Sequence, residues 1–204
     1  MPFAEIIKSN PALKKLIHWC LIPKHQARPR LWVKLFVNPF YHKKGKYVTI
    51  CRRTRMDVLP FQPFVVGDLT TIEDFTTINN GVGPVQIGSN TRVGMGNVII
   101  GPVIIGNNVL LAQNIVISAL NHNYKNVEIP ICLQGETVAP IIIEDDCWIG
   151  ANVVITAGIT IGKHCVIGGG AVVTKNIPPF CVAVGNPAMV IKQYNTESKT
   201  WDKV

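Results

Sequence analysis

No apolar run in the 204 residues approaches the roughly 18 that a membrane-spanning helix needs. The first residues also lack the short apolar stretch and small-residue cleavage site of a secretory leader, so a cytoplasmic protein is expected. The six cysteines are scattered and form no CxxC pair, which argues against a disulfide scaffold and against structural zinc. They read as reduced core residues. Charged residues make up only 16% of the chain against 48% hydrophobic, the reverse of a disordered composition. The length fits one domain with at most a small appendage.

Acidic residues are scarcest where basic ones are densest. Residues 1–60 hold 13 Lys and Arg against Glu5 and Asp57, a balance of +11, and the remainder holds 7 against 10, or −3. The basic character of the chain, +8 overall, therefore belongs to one end. Within that end, Asn10 before Pro11 signals a helix start, and Leu13, Leu16, Ile17, Cys20 and Leu21 form a helical stripe that must stop by Pro23. The cluster from Leu31 to Val37 is ambiguous. The expected role of this end is a cap with a solvated basic face. An interfacial segment on anionic lipid is the sharper alternative, and nucleic-acid binding is disfavoured because no reading motif is present.

What the chain does have is a period of six. Aliphatic residues recur at Val66, Ile72 and Ile78, then from Ile87 through Val93, Ile99, Ile105 and Leu111 to Ile117, then from Ile143 through Ile149, Ile155, Ile161 and Ile167 to Val173. Small or turn-forming residues usually follow, among them Gly67, Gly88, Gly94, Gly106, Gly150, Gly162 and Gly168. Six is not the helical 3.6 but is a multiple of the strand period of 2. Short strands separated by tight corners satisfy it, and three such hexads close one triangular coil. Sandwich strands would instead recur every 8 to 12 residues. The register slips by three residues near Gly81–Pro84 and by twenty between Ile117 and Ile143, both at one corner of the prism. The longer slip, ALNHNYKNVEIPICLQGETVAP, carries Pro130 and Pro140 and reads as an ordered arm reaching a neighbouring subunit.

The run IEDDCWIGANVVITAGITIGKHCVIGGGAVVTKNIPPFCVAVGNPAMVIK, Ile143 to Lys192, resembles the hexapeptide-repeat acyltransferases, in particular the sugar and surface-polysaccharide O-acetyltransferases. The resemblance covers about residues 65–192. It implies an all-β solenoid, a left-handed parallel β-helix of about five coils, assembled as a homotrimer. The expected organisation is a basic, partly helical cap over 1–64, the β-helix over 65–192 with a loop at 121–140, and a polar, frayed tail over 193–204.

The same resemblance implies transfer of acetyl from acetyl-CoA to a saccharide hydroxyl. In the family a histidine following a run like IGNNVLLAQNIVI is the general base, and here that residue is His122. A neutral imidazole suits removal of a hydroxyl proton near neutral pH. Of the other histidines, His164 falls on a hexad corner and His18, His25 and His42 belong to the cap. Cys147 and Cys165 occupy a small inward hexad position, where an inert buried thiol explains them better than covalent catalysis. Direct transfer within a ternary complex is expected.

Ala151 and Gly169 lie 18 residues apart and so stack in adjacent coils, leaving a side-chain-poor channel for a pantetheine arm. By resemblance, these two positions, Thr174, Lys175 and Lys192 touch coenzyme A, and Trp148 stands near it. Met189 in GNPAM departs from the family's frequent arginine, which loosens the expected grip on the nucleotide end. Asn97, Asn121 and Tyr124 are acceptor candidates by register alone. No metal is expected, since only His122 and His164 of the histidines lie in the repeat. Acetylation of serine or an antibiotic hydroxyl is the rival within this fold. A catalytically silent scaffold working through its basic cap is the rival from another class.

Overall fold

The computed structural model describes residues 9–204. Among these residues, three short helices lead into a column of parallel strands. Helix α1 (Pro11–Leu21) starts where Asn10 caps it, the Asn10 side chain accepting from the Leu13 N–H at 3.1 Å. Helices α2 (Leu31–Phe36) and α3 (Asn38–Tyr41) follow, so the ambiguous cluster is helical. Val33 is fully buried, and the helices are joined to the column through Asn38, whose amide donates to the Val58 carbonyl at 2.8 Å.

Beyond them the chain winds through three sheets in strict rotation. Face A begins with Lys43–Lys44 and Phe64–Val66, face B with Thr49–Ile50 and Thr71–Ile72, and face C with Arg55–Asp57 and Thr77–Asn79. Every hexad aliphatic points into the column, and all fifteen are 3% exposed or less. Stacked inward positions pair in register, for example Ile105 with Ile143 and Ile143 with Ile161. Parallel pairing with every strand feeding the next face satisfies the backbone without hairpins.

The column has six coils, one more than the aliphatic period reveals. In the first, the inward positions are Lys44, Ile50 and Met56, paired with Val66, Ile72 and Ile78. The lysine breaks the pattern because its position faces a cavity beneath the cap and not a further coil. The slips at Gly81–Pro84 and before Ile143 both fall between faces C and A. So does the connection between the first and second coils, from Asp57 to Phe64.

Corners impose their own chemistry. The residue three after the inward aliphatic adopts a left-handed backbone at Asn90, Asn108, Asp146 and His164, and at Asn114 and Asn152 on the next corner. Asn and Asp tolerate that conformation better than branched residues do. The corner side chains then ladder between coils, as Asn108 donates to Asp146 at 3.0 Å and Asn90 to Asn108 at 2.9 Å.

The far end is more ordered than its polar composition suggests. Cys181–Val184 adds to face B, then pairs antiparallel with Met189–Asn195, which pairs with Thr200–Lys203. Residues 193–204 therefore form a hairpin and not a frayed tail. Asn195 accepts the N–H groups of Glu197 and Ser198 in its turn, and Tyr194 packs edge-on to Trp201 at 5.5 Å.

Candidate active site

The arm leaves face C at Ala119, a fully buried residue. Its N–H donates to the Ile100 carbonyl and its own carbonyl accepts from the Ala139 N–H, so both ends of the arm are pinned at one point. Between them, Leu120–His122 and Glu136–Val138 form an antiparallel ribbon. The tip is organised by Gln134, whose side-chain amide donates to the carbonyls of Asn126 and Ile129, both at 2.7 Å. Gly135 turns the chain with φ +80°. The arm is thus a hydrogen-bonded ribbon with a clamped tip. Much of its surface is nevertheless apolar and exposed, with Val127, Ile131, Leu133 and Tyr124 all facing outward.

On the ribbon His122 is directly opposite Glu136. The imidazole Nδ1 and the carboxylate Oε1 are 3.9 Å apart, and each side chain is about half exposed. That gap is longer than a hydrogen bond. With Nδ1 toward the carboxylate, Nε2 is the nitrogen left free to take a proton. Glu136 has no marker in the sequence. Only the register of the ribbon brings it to His122. Asn121 and Tyr124 are both exposed beside His122, although strand alternation sends Asn121 to the opposite side of the ribbon.

A second group gathers on face B and its corner with face C. Outward positions of face B align Leu110, Trp148, Val166, Val182 and Lys192 in one row across successive strands. Trp148 is 54% exposed and lines a shallow recess of about 190 Å³ with Leu110, Gln113 and the ion-paired Arg92 and Glu73. Next to Trp148, the corner carries Gly150 and Ala151, with Gly168, Gly169 and Gly170 above. A Cβ on Gly169 would stand 3.2 Å from the Ala151 carbonyl, so these two backbones are in contact as their spacing requires. Met189 is exposed at the start of the strand that bears Lys192.

Thr174 and Lys175 are exposed at the other edge of face C, on the corner from which the arm leaves, two coils above it. Within one chain, therefore, the arm that carries His122 leaves face C at the edge opposite the Ala151–Gly169 corner. Asn97 stands apart from both groups. It is fully buried, its amide donates to the Ala112 carbonyl at 2.9 Å, and its carbonyl oxygen accepts the Ile115 N–H at 2.7 Å. It ties one coil to the next, as Thr76 does on the same corner with the Gly94 carbonyl.

The cysteines behave likewise. Thr70 and Thr91 donate their hydroxyls to Gly88 and Gly106, and at the same corner in later coils the thiols of Cys147 and Cys165 point at the carbonyls of Gly162 and Pro178. Burial pushes the Cys147 thiol up to about 11 and the Cys165 thiol up to about 12, so neither is a ready nucleophile. A separate cavity of about 410 Å³ lies under the cap, lined by Asn38, His42, Ile50, Met56 and Phe64 among others. It belongs to the first coil, remote from the arm.

Residues 84–119 and 140–175 match the family model described as hexapeptide repeat of succinyl-transferase. A galactoside O-acetyltransferase of Escherichia coli is 45% identical over 98 residues, 48% of this chain and 47% of that protein. Among solved structures, a maltose O-acetyltransferase from Clostridium difficile is 29% identical, with a TM-score of 0.54 over 93% of this chain and 88% of that one. AntD, an N-acyltransferase from Bacillus cereus solved with dTDP-4-amino-4,6-dideoxyglucose and coenzyme A, superposes with a TM-score of 0.67 over 81% of this chain and 91% of its own, at 18% identity. The fold is that of the left-handed β-helix acyltransferases. The chain spans about half the length of the curated relatives it matches.

Proposed function

From a hexapeptide-repeat β-helix whose named relatives are acetyltransferases, we propose a coenzyme A-dependent O-acetyltransferase that acts on a saccharide hydroxyl. The observation that carries this reading is the His122–Glu136 pair at the root of an ordered arm, on a column whose other edge offers the bare backbone of Ala151 and Gly169. His122 Nε2 takes the acceptor's hydroxyl proton as that oxygen attacks the thioester carbonyl. The tetrahedral intermediate then collapses, the carbon–sulfur bond breaks, and the imidazolium returns the proton to the departing thiolate. Glu136 is a positioning residue that holds the ring by Nδ1.

The donor's pantetheine arm runs along the Ala151–Gly169 corner beside Trp148. Lys192, in the same outward row, suits the phosphates, as do Thr174 and Lys175 from the opposite edge. Because the arm that carries the base leaves face C at the edge opposite this corner, the complete site is assembled between two copies, and a homotrimer supplies three such clefts. The exposed apolar side chains of the arm fit burial against a neighbouring column. Tyr124 stands beside the base on the acceptor side, and Asn121 lies on the other side of the ribbon.

The test is thiol release from acetyl-CoA with a panel of sugars, serine and antibiotic alcohols. A sugar is the expected acceptor, and His122→Ala lowers kcat about 10²- to 10⁴-fold. Undiminished turnover in His122→Ala would remove the histidine from the mechanism. Failure to bind coenzyme A or turn over any acceptor would favour the scaffold reading.

A further inference from the structure

The capping end of the column has a surface unlike the rest of the molecule. Residues 9–56 hold twelve Lys and Arg and no Asp or Glu. No residue of α1 is buried, and Trp19 on its outer side is 61% exposed. In α2, five of six residues are apolar yet only Val33 turns inward, which leaves Trp32, Leu35 and Phe36 in solvent. Phe40 and Tyr41 of α3 continue the exposure. The two helical segments are joined, because the Arg30 N–H donates to the Leu21 carbonyl at 2.9 Å and its guanidinium lies 5.4 Å above the Trp19 ring. Exposed aromatics interleaved with lysines along these joined helices are more than a solvated cap requires.

We infer that this end is a docking surface for an anionic lipid bilayer. Tryptophan, tyrosine and phenylalanine beside lysine and arginine suit the boundary between headgroups and acyl chains, where the rings sink in and the cations meet acidic headgroups. Among the described residues no helix is long and apolar enough to cross a membrane, so the segment lies on the surface. The carboxylates that reach this end are engaged, Asp57 by Arg55 at 2.8 Å and Arg28 at 3.7 Å, and Asp68 and Asp74 by the backbone N–H groups of Lys46 and Arg53; among the described residues no other lysine or arginine side chain of 9–56 forms an ion pair. A second copy is a poorer occupant, since a self-complementary contact would set the same cations against one another. Nucleic acid would satisfy the charge and leave the aromatic helices facing water.

The inference stands independently of the transferase reading and is tested on the full chain by co-sedimentation with vesicles. Binding is expected to phosphatidylcholine vesicles containing about one-third phosphatidylserine, at least about tenfold tighter than to phosphatidylcholine alone. It weakens as salt rises and shortens the screening length. Lys14→Gln with Lys15→Gln weakens it about twenty-fivefold, at about fivefold per lysine. Trp19→Ala with Trp32→Ala also weakens it, and so does Phe36→Ala with Phe40→Ala, whose rings are 69% and 86% exposed, with the circular dichroism melt of the latter staying in place. Equal binding to neutral and anionic vesicles, or to neither, overturns the inference. So does tight binding to duplex DNA that ignores the tryptophan changes, or self-association that those changes abolish in the absence of lipid.

Discussion

His122 and Glu136 occupy one rung of the arm's ribbon, imidazole against carboxylate, fourteen residues apart in sequence. If the carboxylate orients the ring, Glu136→Gln lowers kcat about tenfold with both KM values nearly unchanged, because the base is retained and only its presentation suffers. Steady-state kinetics on the preferred acceptor measure this. Turnover equal to the parent would show that Glu136 is only a solvated strand residue.

The thiols of Cys147 and Cys165 are raised by burial to about 11 and about 12, so at pH 8 the thiolate fraction of Cys147 is on the order of one in a thousand. Iodoacetamide is expected to leave both unlabelled in the folded protein and to label them once the chain is unfolded. Cys147→Ser and Cys165→Ser keep turnover within about twofold, since a hydroxyl can make the same bond to the facing carbonyl. Loss of activity in a serine variant that still folds would revive a covalent acyl-thiol route.

Much of this architecture is legible in the chain, because a solenoid repeats one local rule and each aliphatic at the sixth position reports a buried inward site. Counting by eighteen also places Ala151 under Gly169. The rule is silent where the local environment changes. Lys44 conceals the first coil because the inward position there faces the cavity beneath the cap and not a further coil. Tyr194 and Trp201 order the final hairpin through a contact that no period announces. Asn97, an acceptor candidate by register, has both ends of its amide bonded within the column, which burial reveals and sequence spacing does not. Glu136 is hidden because antiparallel pairing across the arm depends on its turns and its Gln134 clamp.

Burial first, and then the neighbouring Lys44, hold the His42 imidazole below the ordinary value of 6.5. Both ring nitrogens are enclosed without a partner, and the ring packs edge-on to Phe64 at 5.9 Å. The unfolded chain takes up a proton as pH falls through about 6.5, whereas the folded ring resists until lower pH. The stability His42 contributes is therefore present above that value and lost as pH falls through the folded one. Melting temperatures measured from pH 7.5 down to 5 should fall less steeply in His42→Phe than in the parent. Parallel curves would show that this imidazole is not differentially protonated.

The central claim is that the base comes from one copy and the donor channel from another, and mixed assembly tests it most directly. His122→Ala removes the base, and Gly169→Trp fills the channel while leaving His122 in place. Each variant alone should be inactive. When the two are unfolded and reassembled together in equal amounts, one cleft in four pairs an intact base with an intact channel, so about a quarter of the parent activity should return. Mixed oligomers that form and stay inactive at every ratio would contradict the account.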